Sequence, residues 1–287
     1  MASLHLNTPA HSHLHPKPKP VQFHHLTIDG TGTKSYASPS QYQHAVLPLL
    51  ERMYQTRTGR AVFHEFTRHP SNRPPIHLMM ITPYEAVQLN AYAEAKDLLH
   101  ATLKGQVERS GANGQMLLDA QGKSITGQGG GSDSDVSFTP VIWTKYCNQN
   151  KHAHRSGAQP DEILFHEMTH ATRQMRGVFD PQPLGFLYDT EEEFFAILLA
   201  NIYASETGRS LDLRSDHHTF EHLTTDTNAT FLPKKDASDY RYRLVEKLIR
   251  QEPKMAHELN MLKHVSFNPI RRYHELQRTS VQVKQPA

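Results

Sequence analysis

Two histidines and a glutamate near the middle of the chain have the types and spacing needed for metal-dependent hydrolysis. They are His166, Glu167 and His170, in the order His-Glu-Met-Thr-His. Residues four apart lie on one face of a helix, one turn above each other, so both imidazoles can bind one zinc ion. Glu167 projects beside that face, where its carboxylate can act as a general base. The pattern is short and the chain contains 21 His, so a chance match is an alternative.

A helix must position these side chains, and the flanking residues predict one from Pro160 to about Arg176. Proline is tolerated in the first turn, and Asp161 and Glu162 favour the positive N-terminal end. Gly177 is a natural stop. We therefore expect both histidines to lie on the same side of one uninterrupted helix.

A third ligand is expected from a second helix, because a catalytic zinc usually keeps three protein ligands and one open position. The candidate is Glu193, at the start of an apolar segment that runs to Tyr203. Thr190 is a good N-cap for this helix. The alternative is structural: Thr190 and Glu193 could form a capping box. Glu191 and Glu192 are expected to have only small effects, at the helix terminus.

The two segments resemble a known family. His166 to His170, followed by a helix that begins Glu-Glu-Phe-Phe-Ala, resembles the gluzincin zinc peptidases, and more narrowly the bacterial type III secreted effectors of the NleD/HopH family. The resemblance is strongest over about residues 160–220. It implies an α+β, mainly helical zincin-like metallopeptidase domain with a small sheet and a two-helix zinc core. It also implies that His166, His170 and Glu193 hold one Zn²⁺ per chain.

The sequence offers four candidates for stabilising a developing oxyanion. By analogy with other gluzincins, Tyr188 would face the substrate. A polar cluster farther along contains Arg214, His217 and His218, and any of these could donate to an oxyanion. The sequence leaves the choice among these four residues open.

Length and composition predict one large domain between two polar tails. Residues 1–20 are rich in Pro and His, so we expect a disordered tail that suits a type III secretion signal. Residues 21–275 form the predicted peptidase domain, and 276–287 a flexible tail. The sequence has neither a signal-peptide apolar region nor a run long enough to span a membrane. The single Cys147 excludes an intrachain disulfide and is expected to be a small apolar residue, not a nucleophile.

Shorter elements are predicted from apolar patterns and turn residues. They are a strand over 21–29, a helix from Ser38 or Ser40 to Gln55 despite Pro48, a helical turn over 61–67, a buried strand over 74–81, a helix over about 83–104, and helices over 237–250 and 253–263. The glycine-rich segment 127–132 is expected to be flexible. Residues 136–143, interrupted by Pro140, predict an edge strand, and 134–140 would hold extended substrate by strand addition.

These features predict a zinc endopeptidase that cleaves a host signalling protein, with the activation loop of a mitogen-activated protein kinase as the leading example. The expected partners are this substrate, bound in extended form, and a secretion chaperone. The net charge of +2 favours neither nucleic acid nor a membrane as partner, and we expect a monomer in the host cytosol. One alternative is an inactive binding module with the same fold. Another is a scaffold or nucleic-acid-binding protein with an accidental motif.

Overall fold

The computed structural model describes residues 23, 25–64, 77–86, 89–107, 116–149, 156–185, 187–224 and 227–282. The predicted tail over 1–20 lies outside these residues. The strands are β1 (Leu26–Ile28), β2 (Met79–Thr82), β3 (Tyr92–Ala95) and β4 (Ser134–Ser137). The helices are α1 (Pro39–Gln55), α2 (Arg57–Val62), α3 (Leu98–Ala101), α4 (Pro140–Gln149), α5 (Pro160–Met175), α6 (Glu191–Glu206), α7 (Asn228–Phe231), α8 (Tyr240–Gln251), α9 (Pro253–Asn260) and α10 (Pro269–Gln282).

The four strands form one mixed sheet in the order β1-β2-β4-β3. β1, β2 and β4 are parallel, and β3 runs antiparallel to β4. The edge strand predicted over 136–143 is therefore wrong, because β4 is hydrogen-bonded on both sides, and 134–140 offers no free edge for substrate. Pro140 does not mark an edge; it begins α4, where a first-turn proline is well tolerated.

The helix predicted over 83–104 is also wrong. The described part of this segment contains the edge strand β3 and the short helix α3. Alanine and glutamate in Tyr-Ala-Glu-Ala favour a helix in isolation, but strand preference depends strongly on the neighbours that a strand can pair with. Pairing with β4 and packing on α5 outweigh that local preference here.

Helix α5 lies at the centre of the molecule, although many of its residues are polar. It packs against β3, β4, α1 and α6, and every residue from Asp161 to Met175 is buried. Its N-terminus is fixed by Asp161, which accepts hydrogen bonds from the Tyr203 hydroxyl (2.7 Å) and from both terminal nitrogens of Arg209. The chain leaves the helix at Gly177, whose φ of +67° favours glycine.

The glycine-rich segment 127–132 is packed, not a free loop. Its backbone runs across the end of α5, where Ser132 donates to the Gln174 carbonyl at 3.2 Å. A Cβ on Gly131 would lie 2.2 Å from the Met175 carbonyl oxygen, and one on Gly177 would lie 2.5 Å from the backbone of Gly129. Glycine is required here because two backbones approach each other closely.

Several remaining predictions are confirmed in part. The strands predicted over 21–29 and 74–81 correspond to the shorter β1 and β2, and only the start of the helical turn predicted over 61–67 lies in α2. Residues 21, 22, 24, 65–67 and 74–76 lie outside the described residues.

α1 begins at the predicted N-cap Ser38 and contains Pro48, and α8 and α9 match the two helices predicted near the C-terminus. The predicted flexible tail from residue 276 is corrected, since α10 continues to Gln282 and the Gln277 side chain accepts from Lys235 at 2.7 Å. The fold is α+β and mainly helical, as predicted. Among the described residues, no helix is long and apolar enough to cross a membrane.

Candidate metal centre

Three side-chain atoms from α5 and α6 converge at one point. The Nε2 atoms of His166 and His170 lie 3.0 Å apart. Oε2 of Glu193 lies 3.1 Å from the first and 3.3 Å from the second. The two histidines are buried, and the Glu193 side chain is 19% exposed. The three residues predicted as ligands are therefore brought together, with one side of the group accessible.

The geometry and the donor set fit a metal ion. A tetrahedral ion about 2.0–2.1 Å from nitrogen and oxygen ligands would place those ligands about 3.3 Å apart, close to the observed separations. Oε2 of Glu193 is a buried atom that accepts no hydrogen bond of good geometry, although the two ligand imidazoles surround it. A buried carboxylate oxygen left without a donor is costly. A cation between these three atoms would remove that cost.

Ionisation of this group follows from burial and mutual charge. Burial lowers the pKa of His166 to about 3, so its imidazole is neutral. Burial opposes ionisation of Glu193, but the positive charge on His170 and the closeness of both imidazoles hold the pKa of the carboxyl well below its usual value. His166 and Glu193 therefore offer a neutral imidazole and a carboxylate, which are the forms that bind metals. Burial opposes a charge on His170, but the Glu193 carboxylate raises its pKa well above the usual value, so His170 would release a proton when it binds a metal.

The first turn of α6 gives three successive glutamates three different environments. Glu191 forms an ion pair with Lys247 of α8. Glu192 is 1% exposed and turns toward the other side of α5. Glu193 donates its backbone N–H to the Thr190 hydroxyl at 3.2 Å, which caps the helix, while its carboxylate faces the imidazoles. Capping and ligation are thus compatible, because they use different groups of the same residue.

The structure corrects the expected minor role of Glu192. Both of its carboxylate oxygens accept from Nε of Arg173, at 2.8 and 2.9 Å, and Oε1 lies 3.4 Å from Nδ1 of His170. Arg173 is itself only 2% exposed. Sequence reasoning missed this pair. The available signal was an arginine one turn after His170 and a second glutamate next to the candidate ligand Glu193.

Glu167 lies between the candidate ligands and the sheet. Its carboxylate is 7% exposed and is close to the backbone N–H of Ala93 in β3; burial raises its pKa to about 7. The edge of the sheet that faces Glu167 is the unpaired side of β3. The backbone N–H of Lys96 donates to the Asp133 carbonyl, and in an antiparallel pair every second residue bonds its partner strand. The backbone N–H and C=O of Glu94 therefore face β4, whereas those of Ala93 and Ala95 point outward.

His217 is the third imidazole group that the fold brings to this centre. Its Nε2 lies 3.3 Å from Oε2 of Glu193, and its ring is nearly parallel to that of His166 at 6.1 Å. Its Nδ1 is 2.8 Å from Oδ2 of Asp189. The other oxygen of Asp189 is 2.8 Å from Nε2 of His218, whose side chain is 61% exposed. His217, and not His218, therefore faces the candidate ligands.

Arg214 and Tyr188 have surroundings that differ from those of His217. The Arg214 guanidinium lies 4.0 Å from the Phe220 ring centroid and donates to the carbonyls of Asp216 and His217, so it supports the turn that carries His217. Tyr188 is 4% exposed and packs edge-on against Phe194 at 5.1 Å. The catalytic roles predicted for both residues remain predictions.

Cys147 has the environment of an inert thiol. Its sulfur donates to the Ala158 carbonyl at 3.0 Å, and burial raises its pKa to about 11. A thiol is a poor nucleophile when its thiolate is disfavoured. This agrees with the expectation that Cys147 is not a catalytic residue.

A two-His, one-Glu donor set with a carboxylate alongside, carried by two packed helices, defines a candidate metal-dependent hydrolase. The family model Peptidase_M91, described as an effector protein, matches residues 30–257. The chain therefore belongs to this family of peptidase effectors, which confirms the resemblance drawn from the motif segments and extends it over most of the chain. No curated protein and no solved structure matches the chain.

Proposed function

We propose that the protein is a zinc-dependent endopeptidase with a zincin-like core, delivered into host cells as a type III effector. The observation that carries the proposal is the convergence of His166, His170 and Glu193 within 3.0–3.3 Å of one another, with Glu167 beside them. Two imidazoles and a carboxylate form a donor set used by catalytic zinc. When bound, Zn²⁺ would supply Lewis-acid chemistry, polarising the scissile carbonyl and lowering the pKa of a water.

The chain's own residues would handle the protons and the developing charge. Glu167 takes a proton from the attacking water at its carboxylate and passes it to the leaving amine. In its imidazolium form, which carries a hydrogen on both ring nitrogens, His217 would donate from Nε2 to the oxyanion, because this nitrogen faces the centre while the Nδ1 hydrogen is held by Asp189. Tyr188 and Arg214 come second for this role, since Tyr188 packs against Phe194 and Arg214 donates to the carbonyls of Asp216 and His217.

The substrate would bind in extended form along the free edge of β3. The outward N–H and C=O groups of Ala95 are available for strand addition. The outward groups of the neighbouring Ala93 instead face the Glu167 carboxylate and the Gln174 side chain, which places this edge next to Glu167. This replaces 134–140 as the expected binding strand. An exposed, mobile loop suits such a cleft, so we propose a host signalling protein as substrate, with the activation loop of a mitogen-activated protein kinase as the leading example.

The route and partners of the protein rest on the family and on composition. Effector membership supports secretion into a host, and the polar residues 1–20 support a type III signal. We further propose a secretion chaperone as a partner and a monomeric enzyme in the host cytosol. Neither nucleic acid nor a membrane is proposed as a partner.

Fragment mass spectrometry on host-cell lysate tests the function. Wild-type protein should produce discrete new fragments, and Glu167→Gln should produce none while keeping its metal. Glu191→Gln is the matched control, because it makes the same chemical change on a carboxylate that pairs with Lys247 and should cleave normally. If Glu167→Gln gives the wild-type fragments, the mechanism is wrong. If expression in host cells suppresses signalling equally with both proteins and no fragment appears, the protein acts by binding.

A further inference from the structure

We infer that Glu192 and Arg173 are positioning residues that fix His170 for metal binding. This inference rests on the proposed function, since it concerns the same metal site. Neither residue faces the ligand atoms: Glu192 is 1% exposed and Arg173 is 2% exposed, behind the histidine. Their effect would therefore be transmitted through the His170 ring.

The first step is the contact between Glu192 and the His170 ring. Oε1 of Glu192 lies 3.4 Å from Nδ1, while Nε2 of the same ring faces His166 and Glu193. A neutral imidazole carries one N–H and one lone pair. A carboxylate beside Nδ1 keeps the hydrogen there, which leaves the lone pair on Nε2 for the metal. Glu192 thereby selects the tautomer and limits rotation of the ring.

The second step is the support of Glu192 itself. Its oxygens accept from Nε of Arg173 and from the backbone N–H of Asp180 at 3.0 Å, so the carboxylate cannot turn away from His170. Loss of the partner of a buried carboxylate would strongly destabilise the folded protein. Arg173 therefore holds both the charge and the orientation of Glu192.

The third step is the fixation of Arg173 from the end of α8. Nη2 of Arg173 donates to the Val178 carbonyl at 2.8 Å and to Oε1 of Gln251 at 2.9 Å. Nη1 lies 3.5 Å from Oε1 of Glu252, and the guanidinium stacks 4.8 Å from the Phe195 ring centroid. Together with Glu192, these contacts involve five groups from three parts of the chain, and they fix one orientation of the Arg173 guanidinium. The metal site is connected in this way to α8, which carries none of the proposed ligands.

A purely structural role, in which the pair only joins α5 to α6, makes a different prediction. Those helices are also joined by the stacked rings of Phe165 and Tyr203, 4.6 Å apart, and by the hydrogen bond between Tyr203 and Asp161. The Nδ1 atom of His166 has no hydrogen-bond partner among the described residues. Of the two histidine ligands, His170 is thus the one with a carboxylate at its distal nitrogen, so loss of Glu192 should change metal binding and not only stability.

The test measures metal affinity and ligand geometry in wild type, Glu192→Gln, Arg173→Lys, the double variant and the control Glu191→Gln. Zn²⁺ affinity is determined by competition with a chromogenic chelator, and the visible spectrum of the Co²⁺-loaded protein reports coordination geometry. Glu192→Gln should weaken Zn²⁺ binding by about 10- to 100-fold and shift the Co²⁺ bands. Arg173→Lys should weaken it less, and Glu191→Gln should leave both readouts unchanged. Melting temperatures of the metal-free proteins separate this effect from stability.

The double variant shows whether Arg173 acts through Glu192. If it does, the double variant binds Zn²⁺ no more weakly than Glu192→Gln alone. Wild-type affinity and spectrum in Glu192→Gln, with wild type itself binding one metal, would overturn the inference and leave the proposed function standing. Failure of wild type to bind metal would overturn both. If Glu192→Gln does not fold, Arg173→Lys decides: an unchanged affinity and spectrum refute the positioning role.

Discussion

Nδ1 of His217 lies 2.8 Å from Oδ2 of Asp189, and this contact aims the Nε2 atom of the same ring at Glu193. The pair thus places the Nε2 atom of His217 beside the candidate ligands. The same carboxylate holds His218 through its other oxygen, but the His218 ring is turned toward solvent. Two adjacent histidines of identical chemistry are distinguished only by their direction.

The first prediction follows from this contrast. His217→Phe should lower kcat by about 10²- to 10³-fold with metal content unchanged, because a transition-state donor is lost and the ligands are not. Asp189→Asn should lower kcat less. His218→Phe is the matched control and should have little effect. Steady-state kinetics on a cleaved peptide, together with metal analysis, provides the measurement, and equal losses in the two histidine variants would contradict the assignment.

The second prediction concerns the metal. Wild-type protein should contain about one zinc per chain, and His166→Ala or His170→Ala should remove it and lower the melting temperature, because bound metal stabilises only the folded state. His100→Ala, at an exposed histidine paired with Asp97, should keep the metal. Elemental analysis of the purified variants is sufficient. A full complement of zinc in either variant would exclude the replaced histidine as a metal ligand.

The third prediction distinguishes two neighbouring glutamates. Glu193→Ala should empty the metal site, since its Oε2 is one of the three converging atoms. Glu191→Ala should keep the metal and cost at most about 1 kcal/mol, because it loses a partly exposed ion pair with Lys247. Metal analysis and chemical denaturation measure the two effects. Metal loss in Glu191→Ala instead would show that the assigned ligand is wrong.

The fourth prediction tests the free edge of β3. Ala95→Pro removes an N–H that points away from β4, so it should raise KM and leave the melting temperature nearly unchanged. Glu94→Pro, one residue earlier, removes a donor that faces β4 and should lower the melting temperature. Unchanged KM in a folded Ala95→Pro protein would argue against substrate binding by strand addition.

The sequence predicted the elements whose cause is local. α5 and α6 begin where their first-turn acids and N-cap residues place them, and His166 and His170 share a face because helical spacing dictates it. The sequence also predicted that both histidines meet Glu193, because the motif needs a third ligand and a capped, acidic helix follows it. The helix features depend on residues within one or two turns of each other, whereas the assignment of Glu193, on a separate helix, rested on the family resemblance.

Sheet order could not be obtained in the same way. Pro140 suggested an edge strand, and Tyr92 to Ala95 suggested a helix, yet β4 is internal and β3 is the edge. Both errors have one cause: a strand of four residues is defined by the partners it pairs with, and those partners are distant in sequence. The expected substrate-binding edge was misplaced for this reason.

By itself, the sequence determined a metal-ligand pattern on a helix, a second acidic helix and an α+β chain of predominantly helical character. Only the tertiary structure decided which histidine of the 217–218 pair faces the centre, which strand edge is open beside Glu167, and that Glu192 joins Arg173 behind His170. Helix periodicity and capping act over a few residues, so the sequence contains them directly. The direction of a loop side chain or a buried ion pair depends on packing between segments tens of residues apart, which one sequence read along its length does not specify.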